Sequence, residues 1–235
     1  MFTALAQSLA ERFVQTACGP TVASDVRGFG DLVVLINPAF EATLFALLSD
    51  LSAARGTYFA SQLPVLAILT SEADQATRLA FPAGRWFSTF LEAERDPRRY
   101  NATTKQFEVI DAESANRTAI GHFSPYRTHC LYLEENGSLQ ALSYYTAESA
   151  AQTFYRTSIA WESDAPGSKI DFDGLTLERT ANTAGRNPYL SIYVDGELIR
   201  GHNDIDDPRI IRFIEQLVLI SSQPENPVQR ARARK

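Results

Sequence analysis

The chain has 235 residues, 45% of them hydrophobic and 21% charged, with a formal net charge of -6. That is enough apolar material for one sizeable core in an ordinary globular domain, and the acidic balance argues against a nucleic-acid backbone as partner. No apolar run reaches the roughly 18 residues that a bilayer span needs, and the opening "MFTALAQSLAERF" lacks the basic start of a secretion signal. The expectation is a cytoplasmic protein with no membrane span.

Phe2, Leu5, Leu9 and Phe13 recur at three- and four-residue intervals, which predicts an amphipathic helix over residues 2 to 17, ending at Gly19-Pro20. "DLVVLINPAF" follows a Gly-rich turn, and its run Leu32 to Ile36 is apolar without alternation, the pattern of a parallel strand covered on both faces. Asn37-Pro38 then reads as the cap and first position of a helix, with Phe40, Leu44, Leu47, Leu48 and Leu51 as its buried stripe. "PVLAILT" is a second continuous apolar strand, followed by polar residues and Asp74. Strand, helix and strand in this order predict a right-handed βαβ unit.

Beyond Asp74 the pattern changes. "RDPRRYNATTKQ" reads as a surface loop, and "HCLYLEENGSLQALSYYT" as a hairpin turning at Asn136-Gly137. "AESAAQTFYRTSIAW" reads as a short helix and "SDAPGSKIDFDG" as a loop. "YLSIYVDGELI" is a third strand, and His202 follows it. Asp207-Pro208 caps a last helix with apolar positions Ile210, Ile211, Phe213, Ile214, Leu217 and Val218. Cys18 and Cys130 make no metal-type or disulfide pattern and read as free thiols. His122, His129 and His202 match no common zinc spacing. No metal or cofactor is expected.

This order of elements, with an acid after one buried strand and a histidine between a later strand and the last helix, resembles the C-terminal part of the α/β-hydrolase family. The resemblance implies an α/β fold: a partial α/β-hydrolase-like three-layer sandwich with a mostly parallel sheet and an inserted β-hairpin region. It implies one domain over residues 1–222 that lacks its N-terminal strands, an insertion at about 95–185, and a flexible basic tail over 223–235. Asp74 takes the acid position and His202 the histidine position. The chemistry needs both, because a serine hydroxyl attacks only when a base accepts its proton, and a carboxylate on the other ring nitrogen fixes the base's tautomer. Glu72 is the alternative acid, but Asp74 lies where the apolar strand has given way to loop.

The nucleophile is what departs from the family. No Gly-x-Ser occurs in the sequence, so the usual nucleophile elbow is absent. Ser8 and Ser149 have alanines two positions either side and are the atypical candidates, although Ser8 reads as helix interior and Ser149 comes after Asp74, out of family order. Ser124 is flanked at the same offsets by the bulky His122 and Tyr126. The expectation is a truncated or degenerate serine-hydrolase-like protein of esterase or lipase type, inactive as it stands. A small ester or lipid would be the substrate of its complete relative. The alternatives are a non-catalytic binding or interaction protein, and an active hydrolase using Ser8 or Ser149. The "LVVLI" strand would lack a neighbour on one side, and an open edge of this kind invites self-association.

Overall fold

A computed structural model describes residues 2–17, 25–59, 62–89, 95–133 and 167–222. In chain order its elements are α1 (Phe2–Ala17), β1 (Val33–Ile36), a 3-10 turn (Ala42–Phe45) leading into α2 (Ala46–Ala54), and β2 (Leu66–Ser71). A π-helical segment (Ala76–Ala80) then runs into α3 (Phe81–Thr89), followed by β3 (Arg98–Asn101), β4 (Gln106–Val109) and α4 (Ala112–Arg117). Two 3-10 turns (Ile120–His122 and Ser124–Tyr126) precede β5 (His129–Leu133), β6 (Lys169–Phe172), β7 (Leu175–Arg179), β8 (Tyr189–Val194) and α5 (Pro208–Ser221).

The fold is α/β, built on a six-stranded sheet in the order β1-β2-β8-β5-β7-β6. β1, β2, β8 and β5 run parallel, while β7 is antiparallel to both β5 and β6. All six residues of β2 are buried, and they alternate between two cores. Leu66 and Ile68 join α1, Phe45 and Leu48 on one face; Ala67 and Leu69 join Phe213 and Leu217 of α5 on the other. Helices on both faces are why β2 reads as a continuous apolar run over Leu66–Leu69 and why β8 is apolar apart from Ser191. Tyr189 also donates its hydroxyl to the Leu9 carbonyl at 3.2 Å, which ties β8 to α1.

Several local expectations are corrected. Residue 37 caps no helix: the 3-10 turn starts at Ala42, with Glu41 before it. Because a 3-10 turn repeats every three residues, the buried positions are Ala42, Phe45 and Leu48, while Leu47 is exposed. Ile211 and Val218 of α5 also face out, whereas its cap is as read, with Asp207 accepting from the Arg209 N–H. "RDPRRYNATTKQ" is not a loop but holds β3, which pairs with β4 in a separate two-stranded ribbon. "KIDFDG" holds β6, which pairs with β7 across Asp173-Gly174, both at positive φ. The region 95–185, read as an insertion, thus supplies β5, β6 and β7 to the main sheet. The hairpin turn at Asn136-Gly137, the helix read at "AESAAQTFYRTSIAW", Ser149, Cys18 and the tail lie outside the described residues. Within the described residues, no helix is long and apolar enough to cross a membrane.

One close approach brings the Gly121 backbone onto β2. A Cβ built at Gly121 would lie 1.9 Å from Thr70 Oγ1 and 2.0 Å from Thr70 Cβ. Thr70 is fully buried in the sheet and cannot retreat. Gly121→Ala is expected to destabilise the protein by about 1–3 kcal/mol, the usual cost of overpacking a core. Urea unfolding checks this, and an unchanged midpoint would contradict the contact.

Candidate functional site

β2 and β8 are neighbouring parallel strands, with Ser71 opposite Val194 at their carboxyl ends. The chain leaving β2 reaches Asp74 after three residues, and the chain leaving β8 reaches His202 after eight. The two meet above the sheet: His202 Nδ1 lies 2.9 Å from Asp74 Oδ2.

Asp74 is fully buried, yet its carboxylate has no unfilled face. Oδ1 accepts from the N–H groups of Ala76 (3.0 Å) and Thr77 (3.3 Å), capping the helical segment that follows. Oδ2 accepts from the Thr77 hydroxyl at 2.6 Å and from His202. Burial alone would push its carboxyl up. The hydrogen bonds from Thr77 and His202, with the histidine's charge, outweigh burial and hold it below the ordinary 3.8. Glu72, the alternative acid, is exposed, and no bond joins it to His202.

An ionised, acceptor-only carboxylate dictates the protons around it. The His202 bond requires a proton on Nδ1, so in the neutral ring Nε2 carries the lone pair. No described residue bonds that nitrogen, and 40% of the side chain is exposed. Thr77 must likewise donate to Oδ2. Its oxygen therefore accepts from His122, whose Nε2 lies 3.0 Å away. The two histidines are thus opposite tautomers on one carboxylate. Burial, then the charges of Arg78 and Arg127, push His122 down against the pull of Asp74, so it is held neutral. Its ring also meets Tyr193 edge-on at 6.1 Å, and the Arg127 guanidinium lies 3.7 Å from the centroid of the same tyrosine ring.

Asn37 follows β1 with φ at +46° and is 2% exposed. Its side-chain Nδ2 donates to the carbonyls of Gly201 (3.2 Å) and His202 (3.1 Å), and its Oδ1 accepts from the Ser71 N–H at 2.9 Å. Thr77, His122 and Asn37 were not read from the sequence as part of this site. Ser8 stands in the middle of α1, with regular helix on both sides and no strand-to-helix turn. His129 is buried in β5, where burial and then Arg179 push it down to about 3. Burial raises the half-buried thiol of Cys130. Among the described residues, no group of three or more His, Cys, Asp or Glu side chains is placed to hold a metal ion.

The fold and site together define an α/β protein with an acid–histidine pair at the carboxyl ends of two adjacent parallel strands. Comparison with protein-family models, with curated proteins and with solved structures finds no match for the chain.

The electrostatics set a direction with pH. Asp74 has a depressed folded pKa, so its stabilising contribution is complete above about pH 4 and is lost as the pH falls through the folded value. His122, also depressed, adds a loss that begins as the pH drops below its ordinary 6.5. Asp74→Asn should cost about 1–3 kcal/mol at pH 7 through imperfectly paired buried groups and flatten the acid limb below pH 4. His122→Gln, which keeps a donor for Thr77, should flatten the slope just below 6.5. Urea unfolding from pH 3 to 7 measures both, and parallel curves for all three proteins would contradict the assignment.

Proposed function

We propose that this is a serine-hydrolase-like protein of esterase or lipase type, in which His202 is the base and Asp74 its orienter. The observation that carries this is the Nδ1 bond to a buried, ionised carboxylate, which leaves Nε2 of the neutral ring as an acceptor that no described residue fills. In such a site Nε2 takes the proton of an attacking serine hydroxyl and later returns it to the leaving alcohol. The carboxylate meanwhile stabilises the imidazolium without itself being protonated. A small ester or lipid is the fitting substrate class. Among the described residues no serine is bonded to Nε2, so the reading is of the base half of a relay, without catalysis from these residues alone.

The test uses two reagents on the same protein. Diethyl pyrocarbonate is expected to modify His202 readily, and much less in Asp74→Asn, where the fixed tautomer is lost. A fluorophosphonate is expected to leave no serine adduct. A single modified serine that disappears in His202→Ala would overturn the inactive reading and identify the nucleophile, Ser149 included. A His202 inert to the first reagent would reject the base assignment.

We also propose self-association through β1. Among the described residues this strand ends the sheet, with β2 as its one partner, and all four of its residues are half-buried. Its outer edge offers backbone donors and acceptors to a second copy. Sedimentation over a hundredfold range of concentration should show a mass that rises with concentration; a constant monomer mass rejects the contact.

A further inference from the structure

We infer that Asn37 is a positioning residue for His202: by binding two carbonyls of the histidine loop, its amide sets the approach of Nδ1 to Asp74. The inference rests on the reading of Asp74 and His202 as an orienter and base.

Three observations carry it. The first is conformational. A non-glycine residue at positive φ is uncommon, and asparagine is among the few side chains that tolerate it. Here the left-handed turn ends β1 and sends the Asn37 side chain toward β2 rather than into a helix. Its backbone N–H still donates to the Leu69 carbonyl at 2.8 Å, so the turn begins while the strand ladder is intact.

The second is the completeness of the amide's bonding. Oδ1 receives the Ser71 N–H, acting as one more rung of the β1–β2 ladder after Ile36 and Leu69. Both protons of Nδ2 are used, one on Gly201 and one on His202. Three partners of opposite kinds leave no ambiguity about which end of the amide is oxygen. Buried, with every donor satisfied, the group cannot leave its partners without a desolvation cost.

The third is where the bonds fall. Among the described residues, no other side chain binds the carbonyls of Gly201 and His202. Among the described residues, the neighbouring tie from β2 is the Ser71 hydroxyl on the Ile199 carbonyl. The segment between β8 and α5 is otherwise made of turns and irregular backbone, and the His202 ring itself is partly exposed. Asn37 therefore restrains the backbone of the histidine, and Asp74 restrains its ring.

The test reads the histidine ring directly, by long-range proton–nitrogen correlation on protein labelled with nitrogen-15. Wild type should show His202 with its proton on Nδ1 and His122 with its proton on Nε2. Asn37→Gly keeps the left-handed turn and removes the amide. It should speed solvent exchange of the His202 Nδ1 proton by roughly ten- to a hundredfold, the worth of two ordinary hydrogen bonds, and mix its tautomers, while His122 is unchanged. Asn37→Asp, which keeps the acceptor for Ser71 but sets an anion against two carbonyls, should do the same and serves if the glycine variant is poorly folded. His202 signals that match wild type in either folded variant would overturn the positioning role alone. A wild-type His202 without a proton on Nδ1 would instead overturn the base assignment on which it rests.

Discussion

A buried carboxylate with every acceptor position filled is the constraint on which the rest of this site depends. An ionised aspartate removed from water is tolerable only when hydrogen bonds replace the lost hydration. Asp74 receives two from backbone N–H groups, one from Thr77 and one from His202. Three of those four donors belong to the helical segment that Asp74 itself caps. The acid is thus held mostly by local chain geometry, and the distant His202 supplies the fourth bond.

The sheet supplies the long-range part. Asp74 and His202 are 128 positions apart, yet their strands are hydrogen-bonded neighbours running in one direction, so both exits lie at one end. In open parallel sheets the loops beyond the carboxyl ends are where binding and chemistry collect. The strand ladder alone places the two loops only to within several ångströms. Side chains close the gap: Asn37 from β1 and Ser71 from β2 both take hold of the segment that carries His202. Each is buried and conformationally restricted, so little entropy is lost in making these contacts.

What could be read from the sequence follows from how each feature is encoded. β1, β2, β8, α1 and the capped last helix announce themselves through continuous apolar runs, a helical period and Asp207-Pro208, because burial on one or two faces writes directly into composition. The positions of Asp74 and His202 were legible as the ends of such runs. The β3–β4 ribbon was not, since its residues are largely exposed and a solvated hairpin carries no apolar pattern. The β6–β7 hairpin did leave a signal, Asp173-Gly174 between two short alternating segments, which the surrounding polar residues obscured. Asn37 and His122 act through contacts between residues far apart in the chain, as does Thr77 toward His122, and Asn37 followed by proline has a ready local meaning as a helix cap that the fold does not use. Local chemistry favoured the wrong role because the right one requires the β8 loop to be already in place.

The same carboxylate also decides which histidine nitrogen is available. With Asp74 ionised, Thr77 can only donate to it, and His122 can only donate to Thr77, so the Nε2 of His122 is occupied by a proton and directed inward. His202 bonds through its other nitrogen, and no described residue bonds its Nε2. Two histidines thus bear on one acid, one directly and one through Thr77. Here the direction of a single hydroxyl proton makes the two rings inequivalent: His122 gives its Nε2 proton to the threonine three residues after the acid, while His202 meets the acid through Nδ1.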